Sequence, residues 1–116
     1  MQLNGTEFEF DFTDAEDLER FEKAYETLCQ STTPLPQESQ SQTIRRQCEA
    51  TKRFFDNVLG EGAYAKIVEK PTSALENSNA ILDFAEAYRA AMDQIEQQQS
   101  QRLKKYQKYI STNRRV

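Results

Sequence analysis

Apolar and polar residues alternate strictly near the start of the chain: Phe8, Phe10 and Phe12 are interleaved with Glu7, Glu9 and Asp11. A period of two places three rings on one face of a strand and three carboxylates on the other. Asn4-Gly5 just before it is the pair preferred by a two-residue hairpin turn, where both central residues need positive φ. The pattern predicts a hairpin over residues 1–12 that needs an apolar surface to lie on.

The period then lengthens. Ala15, Leu18, Phe21, Tyr25 and Leu28 recur at three- and four-residue steps, which predicts an amphipathic helix over about 14–30. Thr13 and Glu16 have the spacing of a capping box at its start. Pro34 and Pro36 among small polar residues mark a loop. Ile44, Cys48, Thr51, Phe55 and Val58 or Leu59 form the inner stripe of a second helix, about 40–59, ended by Gly60 and Gly62, with glycine supplying the left-handed cap. Ala63 to Val68 reads as a short helix or turn, and Pro71 breaks the chain again. A last helix is expected from Asn77–Asn79, whose side chains suit a cap. Its stripe is Ile81, Phe84, Ala85, Tyr88, Met92 and Ile95, followed by the Gln-rich run 97–101 and a weaker stripe at Leu103, Tyr106 and Ile110.

A helix over 79–110 would be ~48 Å long at 1.5 Å per residue, whereas a compact domain of this size has a radius of gyration near ~13 Å. The helix therefore leaves the core in the Gln-rich run. The expected fold is α+β, mainly α: a short N-terminal hairpin packed on about three helices, with a long C-terminal helix. Residues 1–96 form a globular domain, and residues 97–116 a basic, Gln-rich extension, helical or flexible.

Charge sharpens this division. The 116 residues carry a net charge of -4, but residues 97–116 hold Arg102, Lys104, Lys105, Lys108, Arg114 and Arg115 and no acid, so the tail is +6 and the body -10. Such a split suits either two solvated surfaces or mutual attraction between body and tail. The interaction residues expected on this ground are Glu7, Glu9 and Asp11 on the body and Arg102, Lys104, Lys105, Tyr106 and Lys108 on the tail.

Candidate chemistry is sparse. There is no His, the commonest general base. The three glycines, Gly5, Gly60 and Gly62, are too few and too scattered for a phosphate loop. The acids near the N-terminus match no calcium-loop spacing, and two cysteines alone make no zinc site. Cys29 and Cys48 fall on helix stripes and are expected as small buried hydrophobes, with a disulfide as the alternative. No enzyme, cofactor or metal is expected. A tail mixing cations with Tyr106 and Tyr109 would suit phosphates, but the acidic body argues against nucleic acid. No apolar run is long enough for a membrane helix, and the acidic, polar N-terminus does not read as a signal peptide, so the expected location is the cytoplasm.

The segment Leu3-Asn4-Gly5-Thr6-Glu7-Phe8-Glu9-Phe10-Asp11-Phe12, followed by Asp14-Ala15-Glu16-Asp17 and Arg20-Phe21-Glu22, resembles a family of small proteins of phages infecting Gram-positive bacteria, the tail assembly chaperones of long-tailed phages. Gln47-Cys48-Glu49, Phe54-Phe55-Asp56, Leu59-Gly60-Glu61-Gly62 and Ala80-Ile81-Leu82-Asp83-Phe84 are similar to later parts of that family. The likeness covers about residues 1–95. It implies a protein of the bacterial host's cytoplasm that coats the long tape measure protein, acts with other tail proteins, self-associates, and is absent from the mature virion. It brings no catalytic residues. Two other readings remain at this point: a phage anti-defence or regulatory protein acting by acidic-surface mimicry, and a minor structural protein of the virion.

Overall fold

The computed structural model describes residues 1–113. It opens on a very short antiparallel hairpin, β1 (Gln2–Leu3) and β2 (Thr6–Glu7), with Gln2 opposite Glu7 and Leu3 opposite Thr6. Asn4 and Gly5 have φ of 49° and 76°, the left-handed pair that the turn requires. Asn4 Nδ2 also donates to the Ile67 carbonyl at 3.0 Å, tying the turn to a distant segment.

The expected strand does not extend to Phe12. The pairing ends at Met1 and Phe8: the Phe8 N–H donates to the Met1 carbonyl at 2.7 Å and the Met1 ammonium donates to the Phe8 carbonyl at 3.0 Å. Residues 9–12 then run as an arm outside the ladder, in which the Phe10 N–H bonds back to the Phe8 carbonyl at 3.0 Å. The alternation survives without the ladder: Phe8, Phe10 and Phe12 are buried, while Glu7, Glu9 and Asp11 are exposed. Burial of the rings, rather than strand pairing, holds the arm down.

Helix α1 (Ala15–Ser31) is capped by Asp14, not Thr13: the Asp14 carboxylate accepts from the Asp17 N–H at 3.2 Å. Thr13 is drawn backwards, its N–H and Oγ1 donating to Asp11 Oδ1 at 2.9 and 2.6 Å. A carboxylate is the stronger acceptor beside the positive end of a helix, so the Thr13–Glu16 box does not form. Helix α2 (Gln40–Leu59) does start with a capping box, of Ser39 with Gln42.

The α1–α2 loop is fastened by α2 side chains. Arg46 forks onto Glu38, with Nε and Nη2 each at 2.8 Å from a carboxylate oxygen. The same guanidinium donates to the carbonyls of Ser31 and Thr33, and Gln47 Nε2 donates to the Thr32 carbonyl at 2.8 Å. Helix α1 has no basic residue in its last turn. Its unsatisfied carbonyl end therefore finds donors on the neighbouring helix. The Arg46 hydrogen bonds hold the Glu38 carboxyl at about 2, below its ordinary 4.5.

Of the two glycines that follow α2, Gly62 is the left-handed one, with φ 86° and ψ -2°, while Gly60 is at φ 109° and ψ 156°. Gly62 leads into α3 (Ala63–Ile67). Helix α4 (Ala74–Asn113) starts several residues earlier than the sequence suggests. Ser73 caps it, its Oγ accepting from the Glu76 N–H at 3.2 Å. Asn77, expected at the cap, lies in the core. Its Oδ1 accepts from the Tyr64 hydroxyl at 2.7 Å and its Nδ2 donates to the Ser73 carbonyl at 2.7 Å. Helix α4 then runs unbroken through the Gln-rich segment, so the extension is helical as far as Asn113. Arg114 and Arg115 lie outside the described residues. The molecule measures 74 × 32 × 22 Å, with a radius of gyration of 19.6 Å, the geometry of a small body with a projecting arm.

Phe84 of α4 is the hub of the core. Its ring centroid lies 5.3–6.1 Å from those of Phe10, Phe12, Phe21, Phe54 and Phe55, and it is 2% exposed. The cysteines split: both are free, with Cys48 buried as expected but Cys29 exposed. Tyr25, also placed on the inner stripe by spacing, is half exposed. Among the described residues no helix is long and apolar enough to cross a membrane.

Two outcomes follow for stability. Phe84→Ala should lower the unfolding free energy by about 3–5 kcal/mol, the range for truncating a buried ring, while Tyr109→Ala on the exposed arm should stay within about 0.5 kcal/mol; urea unfolding measures both. Because the Glu38 carboxyl titrates lower in the folded state, its contribution is complete above about 4.5 and is lost as pH falls toward about 2. Glu38→Gln should lower the melting temperature at pH 6 and flatten its decline between pH 4.5 and 2, as read by circular dichroism.

Candidate protein-binding groove

Helices α1 and α4 both pack on α2 rather than closely on each other. The space between them is spanned by rings: the Phe21 centroid lies 5.1 Å from Tyr88 and 5.3 Å from Phe84. Toward the N-terminal end of α4 this bridge gives way to an open groove. Its wider part is about 490 Å³, walled by Tyr25 and Cys29 of α1 and by Ser78, Ile81 and Leu82 of α4. Ile44 and Cys48 of α2 contribute to its floor. The second part, about 320 Å³, continues over Phe21, Phe54 and Tyr88 and shares Tyr25 and Ile81 with the first. The two parts adjoin along the α1–α4 seam and form a largely apolar trough.

Helical periodicity explains why the trough exists. On α1, Ala24 and Leu28 are buried against α2, while Phe21, Tyr25 and Cys29 form a second line one step around the helix. On α4, Ala80 and Phe84 face the core, while Ser78, Leu82 and Ala85 form the outer line. Each helix has one mainly apolar line more than its neighbours in the fold cover, with Ser78 the polar member on α4. Leu82 is 59% exposed and Tyr25 50%. An aromatic-walled trough between two helices is the shape in which an amphipathic helix is received.

Three ionisable groups in and below the groove are shifted, all upward. Burial raises the Cys48 thiol, with the nearby Glu49 charge adding to it, which keeps the sulfur protonated and unreactive. Tyr25 is also raised, by its hydrogen bond with Cys29 first and by that residue's charge second. Below the groove, the Tyr64 hydroxyl is raised by burial, partly offset by its bond to Asn77. None of these groups is set up as a nucleophile or base at neutral pH. Among the described residues no cluster of His, Cys, Asp and Glu can hold a metal ion.

The interaction residues expected from charge fall on two separate elements, and neither set lines the groove. Glu7 pairs with the Met1 ammonium at 2.8 Å. Glu9 is exposed on the arm. Asp11 is held below the usual carboxylate range by its hydrogen bonds from Thr13, and the Asp11 N–H donates to Asp17 Oδ2 at 2.9 Å. Arg102, Lys104, Lys105, Tyr106 and Lys108 are exposed on the projecting part of α4. Spacing alone had assigned Phe21, Tyr25, Ile81 and their neighbours to the core. Their available signal was the width of the stripes, two apolar lines per helix where one suffices for a core seam.

No curated protein and no solved structure matches the chain. A family model does match, over residues 4–116, body and tail alike: the chain belongs to DUF6673, a family of unknown function.

Proposed function

We propose that this chain is a tail assembly chaperone of a long-tailed phage, a non-enzymatic protein that holds helical segments of the tape measure protein in the α1–α4 groove until tube subunits replace it. The observation that carries the reading is the groove itself: an open, largely apolar trough between α1 and α4, with Phe21, Tyr25 and Tyr88 on its walls. A tape measure protein presents long amphipathic helices. Many weak grooves acting along one such polymer give high avidity with easy release of each contact. The resemblance of residues 1–95 to the chaperone family is what suggests this partner, and the shape of the groove is compatible with a helix of it. On this reading the protein works in the host cytoplasm, alongside other tail proteins, and is missing from finished particles.

The test is co-purification with fragments of the tape measure protein. Tyr25→Glu combined with Leu82→Glu puts two charges on the groove walls at exposed positions, so the fold should survive. Binding should fall at least about tenfold, the equivalent of ~1.4 kcal/mol. Glu7→Gln, Glu9→Gln and Asp11→Asn together should leave it unchanged. Binding that survives the groove variant but disappears in the amide variant would favour acidic-surface mimicry, and finding the chain in purified virions would make it a structural protein.

A further inference from the structure

Helix α4 is divided into two halves of opposite charge. Residues 76–96 carry Glu76, Asp83, Glu86, Asp93 and Glu96 against Arg89, net -4, while residues 97–110 carry Arg102, Lys104, Lys105 and Lys108 and no acid, net +4. Its apolar stripe is likewise in two parts on one face. Ile81, Phe84, Tyr88, Met92 and Ile95 continue at three- and four-residue steps, through Gln99, to Leu103, Tyr106 and Ile110. Steps that average close to 3.6 keep all of these on one side of a straight helix. The first part packs on the body. The second leaves the body with Leu103 57% and Tyr106 62% exposed.

We propose that the groove of one molecule receives the projecting α4 segment of a second copy, and that the exchange is reciprocal, forming a two-fold antiparallel dimer along α4. Antiparallel alignment sets each +4 half against a -4 half, whereas parallel alignment sets like against like. A two-fold axis near Ile95 brings Leu103, Tyr106 and Ile110 of one copy beside residues 80–87 of the other, the α4 wall of its groove. The lengths agree: residues 97–113 span ~25 Å and the groove wall over residues 74–88 spans ~22 Å at 1.5 Å per residue. On the α1 wall, Glu22 and Glu26 stand exposed beside Tyr25 and Cys29, adding acid where the basic segment would lie. Such a contact is isologous, so the assembly closes at two copies instead of growing as a filament. It leaves each groove filled while no other helix is present. The inference shares with the proposed function the idea that the groove accepts helices, but not the identity of the partner.

Two cysteine variants in a Cys29→Ser background test the geometry. Glu96→Cys lies next to the axis and should form a self-disulfide under mild oxidation. The double variant Ser78→Cys/Ile110→Cys should give a single cross-linked dimer on a non-reducing gel. In sedimentation equilibrium the unmodified chain should be a dimer that weakens with added salt. Leu103→Glu/Tyr106→Glu should raise its dissociation constant at least about tenfold. A ladder of higher multimers from the double cysteine variant, a dimer indifferent to the Leu103/Tyr106 change, or a monomer at every concentration would overturn the proposal. The Leu103/Tyr106 variant keeps its groove intact, so loss of the dimer with tape measure binding retained separates this inference from the functional one.

Discussion

The Phe84 ring is the contact on which the rest of the molecule depends. It joins the N-terminal arm, through Phe10 and Phe12, to α1, through Phe21, and to α2, through Phe54 and Phe55. The hairpin has only two residues in each strand, and a hairpin of that kind has little stability of its own in water. What holds it is the burial of its three following rings in the core, Phe10 and Phe12 against Phe84 of α4. The rings of Phe10, Phe12, Phe54 and Phe55 stand at 61–86° to that of Phe84, the edge-to-face arrangement that the aromatic quadrupole favours.

The same ring fixes how α4 leaves the body. Because Phe84 lies in the first third of a 40-residue helix, the core is complete by about Ile95 and the rest of the helix projects. The anchoring also sets the distance between α1 and α4. Both rest on α2, and only side chains such as Phe21 and Tyr88 bridge them. The trough between them is thus a consequence of the core design and not a separate feature. A polar clamp holds its far end, where Arg46 and Gln47 of α2 receive the carbonyls that close α1.

The layout of this fold could be read largely from period and punctuation. The bounds of α2, the Asn4-Gly5 turn, the short α3 and the burial of the alternating Phe residues all follow from local patterns. What escaped the sequence was decided by competition between neighbours. Thr13 lost the cap to Asp14 because a carboxylate is the better acceptor. Asn77 reads as a cap but is drawn inward by the Tyr64 hydroxyl, a partner far along the chain. Phe10 and Phe12 carry a strand signature that lacks a partner strand. The groove was hidden for a related reason. Apolar spacing cannot distinguish Ala24, which faces α2, from Tyr25, which faces an opening, until the positions of both neighbouring helices are known. The charge pattern did show the basic arm, but it gave no hint of the apolar trough along the other half of the same helix.

The central claim is that this protein acts by receiving helices along the α1–α4 seam. Hydrogen–deuterium exchange with and without an amphipathic helical segment of the tape measure protein tests it most directly. In the Leu103→Glu/Tyr106→Glu variant, whose groove is intact and not filled by a second copy, amides in residues 21–32 and 74–88 should gain protection when the segment is added, with residues 2–12 unchanged. Protection confined to residues 2–12, or no change anywhere at saturating segment, would contradict it.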